Sequence, residues 1–245
     1  MRPRPELDML RARIAQIEAG GRPRRSVLPF GVTAMDMRLP GGGLALGALH
    51  EVAGGADGAA AALFAAGIVA RTGGMVLWCV ARLDLFAPAL SQAGLDPDRV
   101  IYVEAGDEKT ALACSEEGLR HGGLSGVVAE AARLPMTASR RLQLAAETSG
   151  TIGIVVRRWQ HATQSGDFGQ PTAAVTRWQV TALPSTSLPV PGIGRARWLV
   201  ELIRSRAGEC AEFELEACDA TGRLALPADL ADRSAASAVG LRASA

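Results

Sequence analysis

The chain has 245 residues, 48% of them apolar and 21% charged, the composition of a globular protein with one domain and extensions. A net charge of +1 argues against nucleic-acid binding by overall charge and leaves only a local basic stripe as a route to it. No apolar run is long enough to span a bilayer and the N-terminal MRPRPELDML lacks the apolar stretch of a secretory signal, so a cytoplasmic protein without membrane contact is expected.

Residues 5–19 read as an amphipathic helix. Leu7, Leu10, Ile14 and Ile17 fall on a 3-4-3 spacing and share one stripe, with Pro5 suited to the first turn and Gly20-Gly21 ending it. So narrow a seam wants a partner, either its own domain or another chain, because GGRPRR separates it from the core. Residues 1–25 are therefore an N-terminal helix and linker, 26–230 the core, and 231–245, rich in Ala and Ser, a flexible tail.

The stretch from Leu39 to Arg71 organises the core. It reads as a Gly-rich turn, a short apolar strand (Ala48 to Ala53), a second Gly-rich turn and an Ala-rich helix. That order builds a phosphate-cradling loop, in which consecutive N–H groups curl round an anion at a helix N-terminus. A working loop follows G-x-x-x-x-G-K-[ST], since Lys neutralises terminal phosphates and the hydroxyl holds Mg²⁺. Here Gly54, Gly55 and Gly58 carry the loop, but Gly54 and Gly58 are one residue too close, and Ala59 and Ala60 stand at the Lys and hydroxyl positions. Asp57 adds a negative charge where a phosphate would sit. Of 26 basic residues only Lys109 is lysine, far along the chain from the loop, and Arg is no compact substitute. No catalytic residue, nucleotide cofactor or ATPase activity is expected.

Apolar strands then recur with helices between them: Met75 to Val80, Val100 to Glu104, Gly126 to Glu130 and Thr151 to Val156, separated by helical stretches Leu85 to Ala93, Lys109 to His121 and Thr137 to Thr148. Short strands apolar on both faces and alternating with helices specify an α/β fold, a mainly parallel sheet flanked by helices. From Arg177 the pattern changes. Trp178 to Leu183, Arg197 to Arg204 and Ala211 to Ala217 have no helix between them and read as antiparallel strands, the last with one wet face formed by Glu212, Glu214 and Glu216. Cys79, Cys114, Cys210 and Cys218 show no metal-ligand spacing and read as free thiols; no metal site is expected, and His50, His121 and His161 have no partner in sequence.

In their order these features resemble the RecA-type recombinase and ATPase core over roughly Leu28 to Leu226. LPFGVTAMDMRLPGGGLALGALHEV is similar to that family's entry, with an apolar-Asp step, a Gly triplet and a Glu leading into the loop. GDFGQPTAAVTRWQV resembles its mobile DNA-binding loop and the strand after it, and GVVAE sits where an acid follows an apolar strand, here Glu130. The chain as a whole resembles the ImuA family, the RecA-like members of bacterial damage-induced mutagenesis cassettes. The resemblance implies a DNA-damage (SOS) response and translesion-synthesis role, with the polymerase-like ImuB, an error-prone polymerase complex, RecA and single-stranded DNA as partners. It also places Arg82 where the ATPases have a catalytic carboxylate, and an Arg cannot orient an attacking water as a base. Glu130 then reads as a vestigial structural carboxylate. Arg157, Arg158 and Trp159, at the end of a parallel strand where ligands meet open α/β sheets, read as a single-strand DNA edge extended by Arg140, Arg141 and Arg177. The bland alternative is a solvated pair beside a buried Trp. A division inhibitor of the SulA type, binding FtsZ through a RecA-like core without nucleotide chemistry, is the other functional reading.

Overall fold

The computed structural model describes residues 26–54, 58–159, 168–185, 192–206 and 209–227. The expected N-terminal helix, and with it Leu7, Leu10, Ile14 and Ile17, lies outside the described residues, as do Gly55, Asp57 and the tail.

The chain enters through a two-stranded antiparallel ribbon, β1 (Val27–Leu28) on β2 (Leu44–Ala45), with α1 (Thr33–Asp36) between them. Asp36 gives the apolar-Asp step its reason: its carboxylate accepts the N–H groups of Phe30 (2.7 Å) and Gly31 (3.0 Å) and so fixes the turn. Gly43 lies so close to β1 that a Cβ there would fall 2.7 Å from the Leu28 backbone, which excludes any larger residue.

The main sheet has eight strands in the order β10-β9-β8-β3-β7-β6-β4-β5. Its parallel part comprises β3 (Leu49–Gly54), β4 (Val76–Val80), β5 (Val100–Glu104), β6 (Gly126–Glu130) and β7 (Ile152–Arg157), and β8 (Thr176–Leu183) joins it parallel to β3. β9 (Arg197–Ser205) and β10 (Ala211–Glu216) continue it antiparallel, with a bulge between Arg177 and Trp178. The helices are α2 (Ala59–Ala70), α3 (Ala87–Gln92), α4 (Glu108–His121) and α5 (Met136–Ser149), each within two or three residues of its sequence-based range.

Because successive side chains point to opposite faces, one strand feeds two cores. Val52, Val128, Ile154 and Val156 face α2, whereas Leu49, Val127, Ala129 and Val155 face α4 and α5. Helix α2 is apolar all round, as a helix buried on every side must be. The sheet covers one side of it and the turn at Cys218–Gly222 the other; at Gly67 a Cβ would fall 2.3 Å from the Cys218 sulfur. An aromatic node joins helix, entry and C-terminal strands. The Phe64 ring lies 5.7 Å from Phe30, 6.0 Å from Trp178 and 6.3 Å from Trp198, all buried. With alanines lining the rest of α2, this node supplies the bulk that the Ala-rich helix lacks. Among the described residues no helix is long and apolar enough to cross a membrane.

The node predicts its own test. Phe64→Ala should lower the unfolding free energy by about 3–5 kcal/mol, because the buried ring leaves a cavity that its rigid neighbours cannot close. Urea unfolding measures it, and a loss below about 1 kcal/mol would mean that the node is not central to the core.

Candidate functional site

The carboxyl ends of β3, β4, β6 and β7 converge on the Gly-rich loop. Gly58 starts α2 in the left-handed region (φ 65°), and a Cβ on Gly54 would fall 2.7 Å from the Gly58 Cα. Gly58, at the N-cap of α2, has no side chain to cap it, and Arg158 lies against it, its Cγ 3.2 Å from where a Cβ on Gly58 would fall.

From there the Arg158 guanidinium reaches two carboxylates. Its Nη1 donates to Glu130 (2.7 Å) and to Asp84 (2.9 Å), and Nη2 makes a longer contact to Asp84 (3.4 Å). Burial disfavours the Arg158 charge, but Glu130 and then Asp84 outweigh that and hold its pKa above the ordinary arginine value. Glu130, buried at the end of β6, also accepts the indole N–H of Trp78 (2.8 Å). Its oxygens are therefore committed to one cation and one neutral donor inside the protein. Arg158, Glu130 and Asp84 line a cleft of about 170 Å³ with Arg82, Glu108 and Trp159. Arg82 is exposed at the mouth, in the place where the resemblance puts a catalytic carboxylate. Ala59 and Ala60 carry only methyl groups, so among the described residues the guanidinium at the loop is that of Arg158, delivered from the end of β7.

A second, fully interior cluster lies one strand end away. Glu51 of β3 and Arg157 of β7 are both 0% exposed and Arg177 of β8 is 7% exposed. Arg157 Nη1 donates to one Glu51 oxygen, while Arg177 Nε (2.9 Å) and the Thr172 hydroxyl (2.9 Å) donate to the other. Further guanidinium hydrogens go to carbonyls: Arg157 Nε to Ala132 O (3.1 Å) and Arg177 Nη2 to Gln170 O (2.7 Å). Phe168 closes the cluster, its ring centroid 5.0 Å from the Arg177 guanidinium carbon and 5.9 Å from that of Arg157. Trp159 meets Phe168 edge to face at 5.6 Å and donates its indole N–H to Ala132 O (3.2 Å). Trp159 and Phe168 thus pin together the two ends of the polar loop, whose residues 160–167 lie outside the described ones.

This corrects the basic stripe read from sequence. Arg157 and Arg177 are not at the surface but hold a buried carboxylate, Arg158 neutralises the cleft, and Arg141 is paired with Glu116 (2.6 Å). Arg157 and Arg177 are thus spent inside the fold, while Arg158 and Arg141 are partly exposed but each paired with a carboxylate. The residue that sequence reasoning passes over is Glu51, which figures there only as part of the entry phrase. A charged residue in the middle of an otherwise apolar strand is the available signal, since such a group is retained only with partners. His50, isolated in sequence, is buried, and its ring nitrogens lie 2.7 Å from the Thr176 hydroxyl and 2.9 Å from Ala45 O. Among the described residues no three of His, Cys, Asp or Glu converge as a metal site. The four cysteines form no disulfide; burial pushes the Cys79 thiol up to about 11 and the Cys218 thiol to about 12, which favours the neutral thiol.

The two clusters should respond differently to loss of charge. Glu51→Gln leaves two buried guanidiniums facing a neutral amide and should destabilise by about 3–5 kcal/mol. Glu130→Gln faces an arginine that is 30% exposed and still holds Asp84, and should cost about 1 kcal/mol or less. Denaturant unfolding of both variants decides this, and equal losses would contradict the division into a buried clamp and a half-open one.

No model of a known protein family matches the chain. Two curated relatives do, both named Protein ImuA, from Caulobacter vibrioides strains NA1000 / CB15N and ATCC 19089 / CIP 103742 / CB 15. Each is 40% identical over 218 residues, which cover 83% of this chain and 88% of the relative. Among solved structures the crystal structure of the RadB recombinase superposes with a TM-score of 0.56 at 16% identity, over 82% of this chain and 99% of that one, so the shared fold is that of the RecA-like recombinases. With the sheet order, the loop and this degree of identity together, the chain belongs to the ImuA family.

Proposed function

We propose that the protein is a non-catalytic RecA-like adaptor in SOS-induced translesion synthesis and mutagenesis. It works in the cytoplasm, joins an ImuB-like polymerase-like protein and its error-prone polymerase complex, and engages RecA. The observation that carries this reading is Arg158. Its side chain lies across Gly58 and its guanidinium neutralises Glu130, so the loop region is electrostatically closed by the protein's own residue. A phosphate-transfer site needs a cation aimed at developing phosphate charge and a metal held by an acid and a hydroxyl. Here the acid is satisfied and the hydroxyl position is Ala60. Family membership supports the cellular setting, and the closed loop supports binding in place of turnover.

Two measurements test it. Purified protein should turn over ATP only at background, and Gly54→Val should leave that background unchanged; turnover abolished by the substitution would overturn the non-catalytic reading. The protein should co-purify with the polymerase-like partner from the same cassette and tolerate salt if apolar contacts dominate. Contact with single-stranded DNA, carried by Trp159 and residues 160–167 in place of the buried arginines, should be weak and fall steeply with salt. Failure to capture that partner at any salt, together with retention of FtsZ, would favour the division-inhibitor reading.

A further inference from the structure

Helices α4 and α5 lie side by side on the sheet and leave between them a cleft of about 470 Å³, which shares Glu108 with the cleft beside the loop. Its floor is apolar: buried Leu112 and Leu142, with Ala138 half-buried between them and Ala113 and Pro135 on the walls. The cleft exists because Ala113 and Ala138 stop at Cβ, where longer side chains would close the seam between the helices.

The charges at its rim have a direction. Glu108 turns both oxygens inward, onto the N–H groups of Ala132 (3.0 Å) and Arg133 (3.3 Å). Glu116 is buried and takes Arg120 and Arg141, one on each oxygen. Glu108 is thus turned inward and Glu116 pairs with the rim's own Arg141, while Lys109 and Arg133 stand exposed beside the apolar floor. Lys109 is also the protein's one lysine.

We propose that this groove docks an acidic amphipathic helix of a partner protein. Two helices of 14 residues give a seam of about 20 Å, the length along which one further helix of about four turns lays an apolar stripe. The cationic rim selects acidic residues flanking that stripe. It disfavours the protein's own N-terminal segment, from the same copy or another, because residues 1–25 carry seven arginines against three acids. The groove deepens the adaptor reading by giving a partner a place to bind, and rests on that reading for its biological meaning.

The probe is a fluorescein-labelled helical peptide of about 15 residues with leucines on a 3-4 spacing and glutamates beside them, read by anisotropy. Controls are the same peptide with lysines for glutamates, and the segment spanning residues 1–20 of this chain. The full-length protein should bind the acidic peptide in the micromolar range and at least tenfold more tightly than either control, with affinity falling as salt rises from about 50 to about 500 mM. Ala138→Glu should abolish binding. The double variant Lys109→Glu/Arg133→Glu should reverse the preference toward the lysine peptide, a readout that a merely unfolded protein does not give. Equal binding of acidic and basic peptides, tighter binding of residues 1–20, or unchanged binding by Ala138→Glu would overturn the proposal. The assay stands apart from partner capture. Peptide binding without co-purification would sink the adaptor reading and keep the groove, and co-purification without peptide binding would sink the groove alone.

Discussion

A carboxylate with no access to water, Glu51, holds together the part of the molecule on which everything else hangs. It sits in β3, between its two parallel neighbours, and it draws an arginine from each, Arg157 from β7 and Arg177 from β8. Further guanidinium hydrogens go to the carbonyl oxygens of Ala132 and Gln170, and the Phe168 ring lies over the Arg177 guanidinium. Such a cluster is weak evidence for net stability, but removing one partner leaves an uncompensated buried charge, which is costly. The register of β3 against both neighbours, the path from β6 into α5 through Ala132, and the root of the polar loop at Thr172 are all fixed through it.

Next to it, the half-open cluster at the loop sets an arginine against the acid that ends β6. In a nucleotide site an acid after the apolar strand faces a bound metal, and the positive charge beside it comes and goes with ligand. Here the charge is covalently part of the chain at the end of β7. Because Arg158 follows Arg157 directly, strand alternation sends the two guanidiniums to opposite faces, one into the Glu51 cluster and the other over Gly58 toward Glu130. One dipeptide therefore closes both clusters, which links the structural clamp to the closed loop through a single stretch of backbone.

The sequence made the secondary elements legible because their signals are local. Strands apolar on both faces, an Ala-rich helix after a Gly turn and the Glu alternation in 212–216 need no knowledge of distant residues, and each is present where periodicity placed it. The site was legible only as a loop and an acid. Which arginines were free could not be read, because the partners of Arg157 and Arg177 are 106 and 126 residues away and belong to strands whose neighbours depend on sheet order. A run of Arg-Arg-Trp at a strand end has the same local appearance whether it meets phosphate or an interior carboxylate. What separates the two cases is the isolated Glu51 in an apolar strand, a demand for buried cations that the sequence states without naming who meets it.

The groove between α4 and α5 comes from the same economy of side chains. The chain has few aromatics and builds close contacts from alanine, and where two alanines face each other across a seam the helices approach without filling the space above them. On the α2 side the equivalent shortfall is made good by Phe30, Phe64, Trp178 and Trp198 together with the Cys218–Gly222 turn. On the α4–α5 side no comparable cover lies among the described residues; Glu108 is turned inward onto backbone N–H groups and Glu116 pairs with Arg141, which leaves Lys109 and Arg133 as the exposed cations of the rim. An apolar floor with a cationic edge is stable in water only because the edge is solvated, and a ligand of opposite charge gains by replacing that water while covering the floor. Around the loop Arg158 faces Glu130 and Asp84, whereas at the groove Lys109 and Arg133 remain exposed beside apolar side chains, and that contrast is the physical basis of the docking proposal.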